Sequence, residues 1–347
     1  MSFLSRFIPK SIGLDIGTSS IKIVELSSFG KKIKLENYAQ VKSADLGVTS
    51  LRVFDKKDYL LFKDKAADAI KQAFQKMDLK PRKATFTLPD FSSFFTTFKL
   101  PKMEEKEVEK AVRFHASKYI PVPMTSLAID WRKISEDPLE VLVVAIPKKA
   151  LEQYKKLTEA VGIKKHSLEP EAFSIDRAFP RREGENYCFI DIGVQSSTIS
   201  ISNEEGLITS HGLDIAGGKI NKVIQKKLGV SAEEAVILKK EKGLISDSDQ
   251  LSEAILPIAE SLVGLTERTL KSFREKHPGQ DVDKIIILGG SAQIPGLLNY
   301  FENRINNKIE LANPFQGLEY PEGLEKDLQE LGPMFSVAVG AARRDLE

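Results

Sequence analysis

Two short stretches combine an aspartate, a glycine turn and hydroxyl residues, the residue types that handle phosphate and divalent metal. The first, Gly13-Leu14-Asp15-Ile16-Gly17-Thr18-Ser19-Ser20, lies between an apolar run from Ser11 to Ile16 and an alternating run from Ile21 to Leu26. That pattern reads as strand, tight turn, strand. Backbone N–H groups in such a turn would face phosphate oxygens, while the carboxylate serves Mg2+ directly or through water. Alone, the stretch is also compatible with an ordinary hairpin turn. The second stretch, Asn186 to Ser202 (NYCFIDIGVQSSTISIS), repeats the pattern about half a chain later, with Asp191 in the place of Asp15. Self-similarity at that separation predicts a duplicated domain with two phosphate-facing hairpins across a cleft.

A third stretch adds a nucleotide signal. Lys284 to Leu288 (KIIIL) is a continuous apolar run, as expected of a buried central strand. It ends in Gly289-Gly290-Ser291, and Pro295-Gly296 opens the next helix. Strand, paired glycines and helix start let backbone approach a base or a phosphate without a Cβ in the way. Gly217-Gly218 similarly turns a strand, Leu207 to Asp214, into a helix, Lys219 to Leu228. Ser231 to Glu234 is an N-cap with an acidic first turn, and its helix runs to Lys240. Glu169, in Ser167 to Ala172, sits where a short helix through Ala178 is expected to open. Glu171 would complement that helix's macrodipole.

The elements that must position these residues follow from periodicity. Lys32 to Lys42 is a third strand of the opening meander, Leu61 to Met77 an amphipathic helix, and Lys83 to Leu88 a strand. Next comes a module foreign to the duplication. It has a strand Phe94 to Leu100, a helix Glu104 to Ile120 stopped by Pro121-Val122-Pro123, strands Leu127 to Ile134 and Leu139 to Ile146, and a helix Lys149 to Val161. Glu241 to Asp249 reads as a loop, Leu251 to Lys276 as a long helix with Pro257 in its second turn, and Phe335 to Arg344 as a small-residue helix.

Composition bounds the function. The 347 residues are 41% hydrophobic and 29% charged, and Lys+Arg 51 against Asp+Glu 49 leaves a net charge of +2. That balance, with no basic run interleaved with aromatics, argues against a nucleic-acid partner. The lone Cys188 falls in an apolar strand, reads as a core residue and fits a reducing cytoplasm. His115 has no Cys or second His at ligand spacing. No apolar run reaches the length of a membrane span. Residues 1–10 (MSFLSRFIPK) have apolar residues at helical spacing and two cations; they suit either a membrane or partner contact or a frayed terminus. The terminal Leu346-Glu347 is either native or a cloning remnant.

The order of motifs resembles the actin-like ATPase superfamily. Asp15-Ile16-Gly17-Thr18-Ser19-Ser20 is similar to its first phosphate loop and Asp191 to Thr198 to its second. Leu168 to Ala172 resembles its first connecting helix, Leu288 to Gly296 its adenosine motif, and Ala338 to Ala342 its second connecting helix. The resemblance implies an α/β fold of two lobes, duplicated ribonuclease H-like domains, carrying an FtsA-type βαββα insert. Its expected division is 10–90 with 164–185 and 325–347 as one subdomain, 91–163 as the insert, 186–216 with 284–324, and 217–283. Within the superfamily, the opening Ser11 to Leu26, the insert's Phe114 to Pro123 and Glu140 to Ala145 are similar to the PilM family of type IV pilus assembly proteins.

That resemblance implies ATP and Mg2+ as cofactors. Asp15 and Asp191 would serve the metal, mostly through water. Gly17, Thr18, Ser19, Ser20, Gly193, Ser196 and Ser197 would bind phosphates, and Lys22 would reach the β- or γ-phosphate. Glu169 would orient the attacking water. Gly289, Gly290 and Ser291 would line the purine and ribose, with Gly217 and Gly218 near the sugar and phosphates. The helix after the paired glycines departs from the superfamily pattern: Lys239 fits, but Val236 stands where a Glu is expected, with Glu233 or Glu234 as substitutes only if the helix is shifted. The partner implied is the N-terminal cytoplasmic peptide of a PilN-type membrane protein. It would lie in a groove between insert and first subdomain, at the inner face of a bacterial inner membrane. Slow or absent ATP hydrolysis would suit such a scaffold. An FtsA-like membrane-associated filament and a small-molecule kinase are the competing readings. A kinase of this superfamily would need a catalytic Asp beside an acceptor pocket, and no matching motif stands between Asp191 and Gly217.

Overall fold

The computed structural model describes residues 8–53, 61–62, 65–79, 83–245 and 249–346. Residues 1–7 of the N-terminal segment, 63–64 of the expected Leu61 to Met77 helix, 246–248 of the expected loop, and Glu347 lie outside the described residues.

The chain opens as an antiparallel meander, β1 (Lys10–Ile16), β2 (Ser20–Phe29) and β3 (Lys32–Lys42). A short ladder, β4 (Arg52–Val53) and β5 (Leu61–Phe62), follows. Helix α1 (Lys65–Lys76) buries Ala66, Ala69, Ile70, Ala73 and Phe74, the three-and-four spacing of a one-faced helix. Strand β6 (Lys83–Leu88) then runs parallel to β1.

The inserted module contributes β7 (Phe94–Lys99), α2 (Glu105–Ala116), β8 (Leu127–Glu136), β9 (Leu139–Pro147) and α3 (Lys148–Val161). Its strands form a separate sheet in the order β7-β9-β8, with Val108, Val112 and Ala116 of α2 packed on Phe98, Val141 and Val143. Helix α3 faces elsewhere. Its Ala150, Tyr154 and Leu157 join the core formed by Leu14, Ile70 and Phe86, and the Tyr154 hydroxyl donates to the Thr87 carbonyl at 2.5 Å.

Strand β10 (Lys165–Pro170) returns parallel to β6 and completes a sheet ordered β10-β6-β1-β2-β3. The sequence predicts a helix opening at Ser167. Instead Ser167 to Pro170 pair with Thr85 to Leu88, and α4 (Glu171–Ala178) starts only after Pro170. Proline fits that boundary: it lacks the N–H a strand interior would use, and its φ suits entry into a helix.

The second half repeats the scheme with β11 (Tyr187–Ile192), β12 (Ser197–Asn203) and β13 (Gly206–Leu213), followed by α5 (Gly217–Leu228), α6 (Ala232–Glu241) and α7 (Asp249–Lys276). Helix α7 continues through Pro257. Then come β14 (Lys284–Leu288), α8 (Leu297–Glu302), β15 (Lys308–Leu311) and α9 (Glu325–Arg343). Read from its β15 edge, the second sheet is β15-β14-β11-β12-β13, the order of the first sheet element for element. Each has an antiparallel hairpin pair at its centre and two parallel strands on one side. The duplication seen in the motifs is therefore a duplication of topology.

Helix α9 begins ten residues before the Phe335 start read from the sequence, because Glu325 to Gly332 forms helix ahead of Pro333. It crosses α4 and β1 at very short range. A Cβ on Gly340 would stand 1.7 Å from the Ser174 carbonyl oxygen, and one on Gly13 would stand 2.1 Å from that of Ala338. The Gly340→Ala variant must push the two helices apart. We expect it to lose about 3 kcal/mol or more of unfolding free energy in urea denaturation, with an unchanged m-value.

Candidate functional site

The two hairpin turns are built alike. In the first, Asp15 pairs with Lys22 across the ladder and the Gly17 N–H donates to the Ser20 carbonyl at 2.9 Å. In the second, Asp191 pairs with Thr198 and the Gly193 N–H donates to the Ser196 carbonyl at 3.1 Å. The turns meet: the Thr18 hydroxyl donates to Gln195 Oε1 at 3.2 Å. Asp15, at 5% exposure, is held by Lys22 Nζ at 2.8 Å. Ser20 and Ser197 are buried at the strand starts, where Gln40 donates to the Ser20 hydroxyl and the Ser197 hydroxyl has no hydrogen-bond partner.

The second turn is fastened to its surroundings. The Gly217 N–H donates to the Gly193 carbonyl and the Gly218 N–H to the Val194 carbonyl, both at 2.9 Å. Lys239 reaches back from α6 to the Gly217 carbonyl at 3.1 Å, and burial lowers its amine pKa to about 8. A Cβ on Gly217 would stand 2.0 Å from Ser291 Oγ. The Ser291 N–H donates to the Ile192 carbonyl at 3.1 Å. Gly289 has φ +92 and lies where a Cβ would meet Asp191 Oδ1 at 2.2 Å, so only glycine serves there. Nothing lies within 4 Å of a Cβ on Gly290. Gly217, Lys239, Asp191 and Gly289 to Ser291 thus converge. Val236 is exposed on α6, Glu234 is committed to the capping box with Ser231, and Glu233 is exposed.

Glu169 is placed apart from these groups. Its Oε1 accepts from the Ser174 hydroxyl at 2.5 Å and from Arg177 at 2.6 Å, and its Oε2 from Arg177 at 3.1 Å and Arg344 at 2.7 Å. A carboxylate so fully engaged has little left to orient a water. Glu171 lies nearer the two turns, where its charge helps to raise the Asp191 pKa. Its Oε1 accepts from Arg52 Nη2 at 3.1 Å and its Oε2 from the Asp90 N–H at 3.4 Å. The Asp90 carboxylate accepts from the Ala172 N–H at 3.2 Å and the Ser210 hydroxyl at 3.5 Å. The motifs give Gln195, Asp90 and Arg52 no role, and Glu171 only that of complementing the helix macrodipole.

The electrostatics of this floor are unbalanced. Asp15, Asp90, Glu171 and Asp191 face two cations, Lys22 and Arg52. Burial first, then Glu171 and Asp15, raise the Asp191 pKa to about 7, against Lys22 and Arg52. Burial and Glu171 hold Asp90 well above the usual carboxylate range. Burial raises Glu171 too, opposed by Arg52. A divalent cation is the species that neutralises such an excess. Among the described residues no three carboxylates or imidazoles converge tightly enough to wrap an ion. A cation here would complete its shell with water and phosphate oxygens, as Mg2+ does. The residues present therefore fit a metal-bound polyphosphate.

Elsewhere, Cys188 is fully buried and its thiol is pushed up to about 12. His115 stacks on Phe98 with ring centroids 5.7 Å apart. Among the described residues no helix is long and apolar enough to cross a membrane.

Two like sheets joined by crossing helices, with paired glycine-closed turns between them, define the actin-like fold. Comparison with known proteins agrees. A solved structure described as the PilM–PilN type IV pilus biogenesis complex superposes with a TM-score of 0.82 at 22% identity, covering 97% of this chain and 98% of that one. The ethanolamine utilization protein EutJ from Carboxydothermus hydrogenoformans gives 0.57 at 14% identity, over 96% and 89%. The MamK double helical filament gives 0.53 at 13%, over 97% and 99%. Residues 13–346 match the family described as type IV pilus assembly protein PilM, and the chain belongs to that family.

The raised Asp191 pKa has a signed consequence. The folded state holds a proton on Asp191 that the unfolded state releases near pH 4, so this group lowers stability as pH rises from about 4 to about 7. Asp191→Asn should flatten that loss. Urea midpoints of wild type and variant, compared from pH 5.5 to 8, should diverge in the variant's favour as pH rises.

Proposed function

We propose that this chain is a cytoplasmic nucleotide-binding scaffold of type IV pilus assembly. It would bind ATP with Mg2+ between its two turns and hold the N-terminal tail of a PilN-type inner-membrane protein, which keeps it at the inner face of that membrane. The observation that carries the nucleotide reading is the mirrored pair of turns touching through Thr18 and Gln195. Asp15 and Asp191 would hold Mg2+ through water. Gly17, Thr18, Ser19, Gly193 and Ser196 would offer amides and hydroxyls to phosphates, with Lys22 beside them. Gly217, Gly218, Lys239, Gly289, Gly290 and Ser291 would line the nucleoside. When bound, Mg2+ would offset phosphate charge. Glu171, whose charge acts on Asp191, would orient a water in place of Glu169, and any hydrolysis would be slow. We retain the proposed division into 10–90 with 164–185 and 325–347, 91–163, 186–216 with 284–324, and 217–283, with the insert rooted in the first core through α3.

The tail site we propose is the open groove of about 810 Å³ between α3 and β10, lined among others by Leu151, Lys155, Thr158, His166 and Leu168. It lies where the insert meets the first sheet. Strand β10 is an edge of that sheet, so it presents unpaired main-chain groups to an extended peptide, and the groove supplies apolar contacts.

Two measurements test these readings. Asp15→Ala should abolish ATP binding by calorimetry in the presence of Mg2+; retained affinity would overturn the phosphate-turn assignment. A PilN-type tail peptide should bind nucleotide-loaded protein at micromolar affinity or better, and Leu151→Asp should weaken it at least tenfold. No binding to the wild type would refute the docking role, and an unaffected Leu151→Asp would move the site elsewhere.

A further inference from the structure

Helix α2 ends in a surface whose composition departs from the rest of the chain. Residues 110–129 carry Lys110, Arg113 and Lys118 and no Asp or Glu, in a protein whose charges otherwise nearly balance at 51 against 49. The stretch just before is the opposite, with Glu104, Glu105, Glu107 and Glu109. Two large aromatics stand in the basic half. Phe114 is 65% exposed and Tyr119 59%, and among the described residues only the Phe29 ring is more open.

These rings are held in place. Val112 and Ala116 face the insert core, so Phe114, two residues from each, points away from it. It packs T-shaped on His115 with centroids 5.7 Å apart, and Lys118 Nζ lies 5.1 Å from its centre. Tyr119 lies flat on the buried Phe98, centroids 5.7 Å apart, which spends one of its faces and leaves the other open. Arg113 shares its charge with Glu109 through Nε at 3.3 Å. Among the described residues no carboxylate pairs with Lys110 or Lys118.

Aromatic rings on the outer side of a helix, flanked by cations and cleared of carboxylates, suit a lipid–water interface. Such rings seat at headgroup level, and ammonium and guanidinium groups meet lipid phosphates. An anionic surface repels carboxylates, so the acidic start of α2 would tilt away and its basic end would rest on the lipid. Position agrees with this. Lys148, at the start of α3, donates to the Thr125 carbonyl at 2.9 Å and ties the segment after α2 to that helix. The groove between α3 and β10 begins at Leu151, about one helical turn further on. The patch and the proposed tail groove are neighbours on the insert.

We propose that the end of α2, Phe114 and Tyr119 with Lys110 and Lys118, is a contact surface for anionic membrane lipid. It is an attachment separate from the tail groove, so the lipid contact and the tail reading can fail independently. Where both hold, the tail keeps the patch at high local concentration beside the bilayer and each contact strengthens the other.

The test is pelleting of the full chain, without any tail peptide, with vesicles of neutral phosphatidylcholine or of phosphatidylcholine mixed with phosphatidylglycerol. The wild type should bind the mixed vesicles, bind neutral ones at least fivefold less, and be released by added salt. Phe114→Ser and Lys118→Glu, both at exposed positions, should each weaken binding at least fivefold, while Phe3→Ser with Phe7→Ser in the N-terminal segment should not. A wild type that ignores anionic vesicles, or variants of the patch that bind like wild type, overturn the proposal. Binding lost only in the N-terminal variant overturns it too. Calorimetry with the PilN-type tail peptide separates the two readings. Phe114→Ser should bind the peptide within twofold of wild type, and a Phe114→Ser loss of peptide binding with no vesicle binding by wild type would give the patch to the peptide instead.

Discussion

The crossing of α4 and α9 sets the distance on which the rest of the molecule depends. At Gly340 the two helices approach so closely that a single methyl group would overlap the Ser174 carbonyl oxygen. The charged residues around the crossing reinforce it: Arg177 donates both to Glu169 and to the Gly340 carbonyl, and Arg344 joins the same carboxylate from the end of α9. A buried carboxylate surrounded by guanidinium groups is strongly directional, because removing any partner leaves charge unpaired in a dry place. Glu169 is thus a clasp between strand β10 and the two helices. Because β10 and β1 lie in the first sheet while the Pro333 carbonyl of α9 also accepts from the Gly289 N–H after β14, this one crossing fixes how the two turns face each other.

The cleft shows what that fixed separation achieves. Asp15 and Asp191 end the central strands of the two sheets, Asp90 follows β6, Glu171 follows β10 and Gly289 follows β14. Asp15, Asp90 and Glu171 stand at the carboxyl ends of parallel strands of the first sheet, and Asp191 and Gly289 at those of the second, the place where open α/β sheets gather ligands. Bringing four carboxylates there costs desolvation and mutual repulsion, which appears as raised pKa values at Asp90, Glu171 and Asp191. Such a site is destabilised when empty of counter-charge. It stores that unfavourable energy because the surrounding packing leaves no room to relax.

How much of this was legible beforehand follows from the physics of each signal. Local patterns carried the two hairpins, the paired glycines, the capping box at Ser231 and the insert's strands, since each depends on neighbours in sequence. The duplication was readable because the same local pattern occurs twice. The motif assigns Glu169 to water and Glu171 to the helix macrodipole, and local sequence alone cannot test that division. They are two residues apart, and which one meets the cleft depends on β10 continuing to Pro170 rather than yielding to helix earlier. Arg52, Asp90 and Gln195 carry no motif and come together only through sheet order. The one signal available for Asp90 was its position directly after a strand parallel to β1. The allegiance of α3 was hidden as well, because an amphipathic pattern tells that a face is buried but not against what.

The lone cysteine gives the molecule an internal gauge. Cys188 lies in β11 at the heart of the second sheet, with its thiol pushed up to about 12. In the closed structure almost no thiolate exists, and no reagent reaches it. Modification of this sulfur must wait for the strands around it to part, so its labelling rate reads the opening free energy of the second sheet directly. The same inertness leaves the surface chemically blank toward maleimides. A cysteine placed elsewhere on the chain would therefore carry a fluorophore or spin label without removal of the native one.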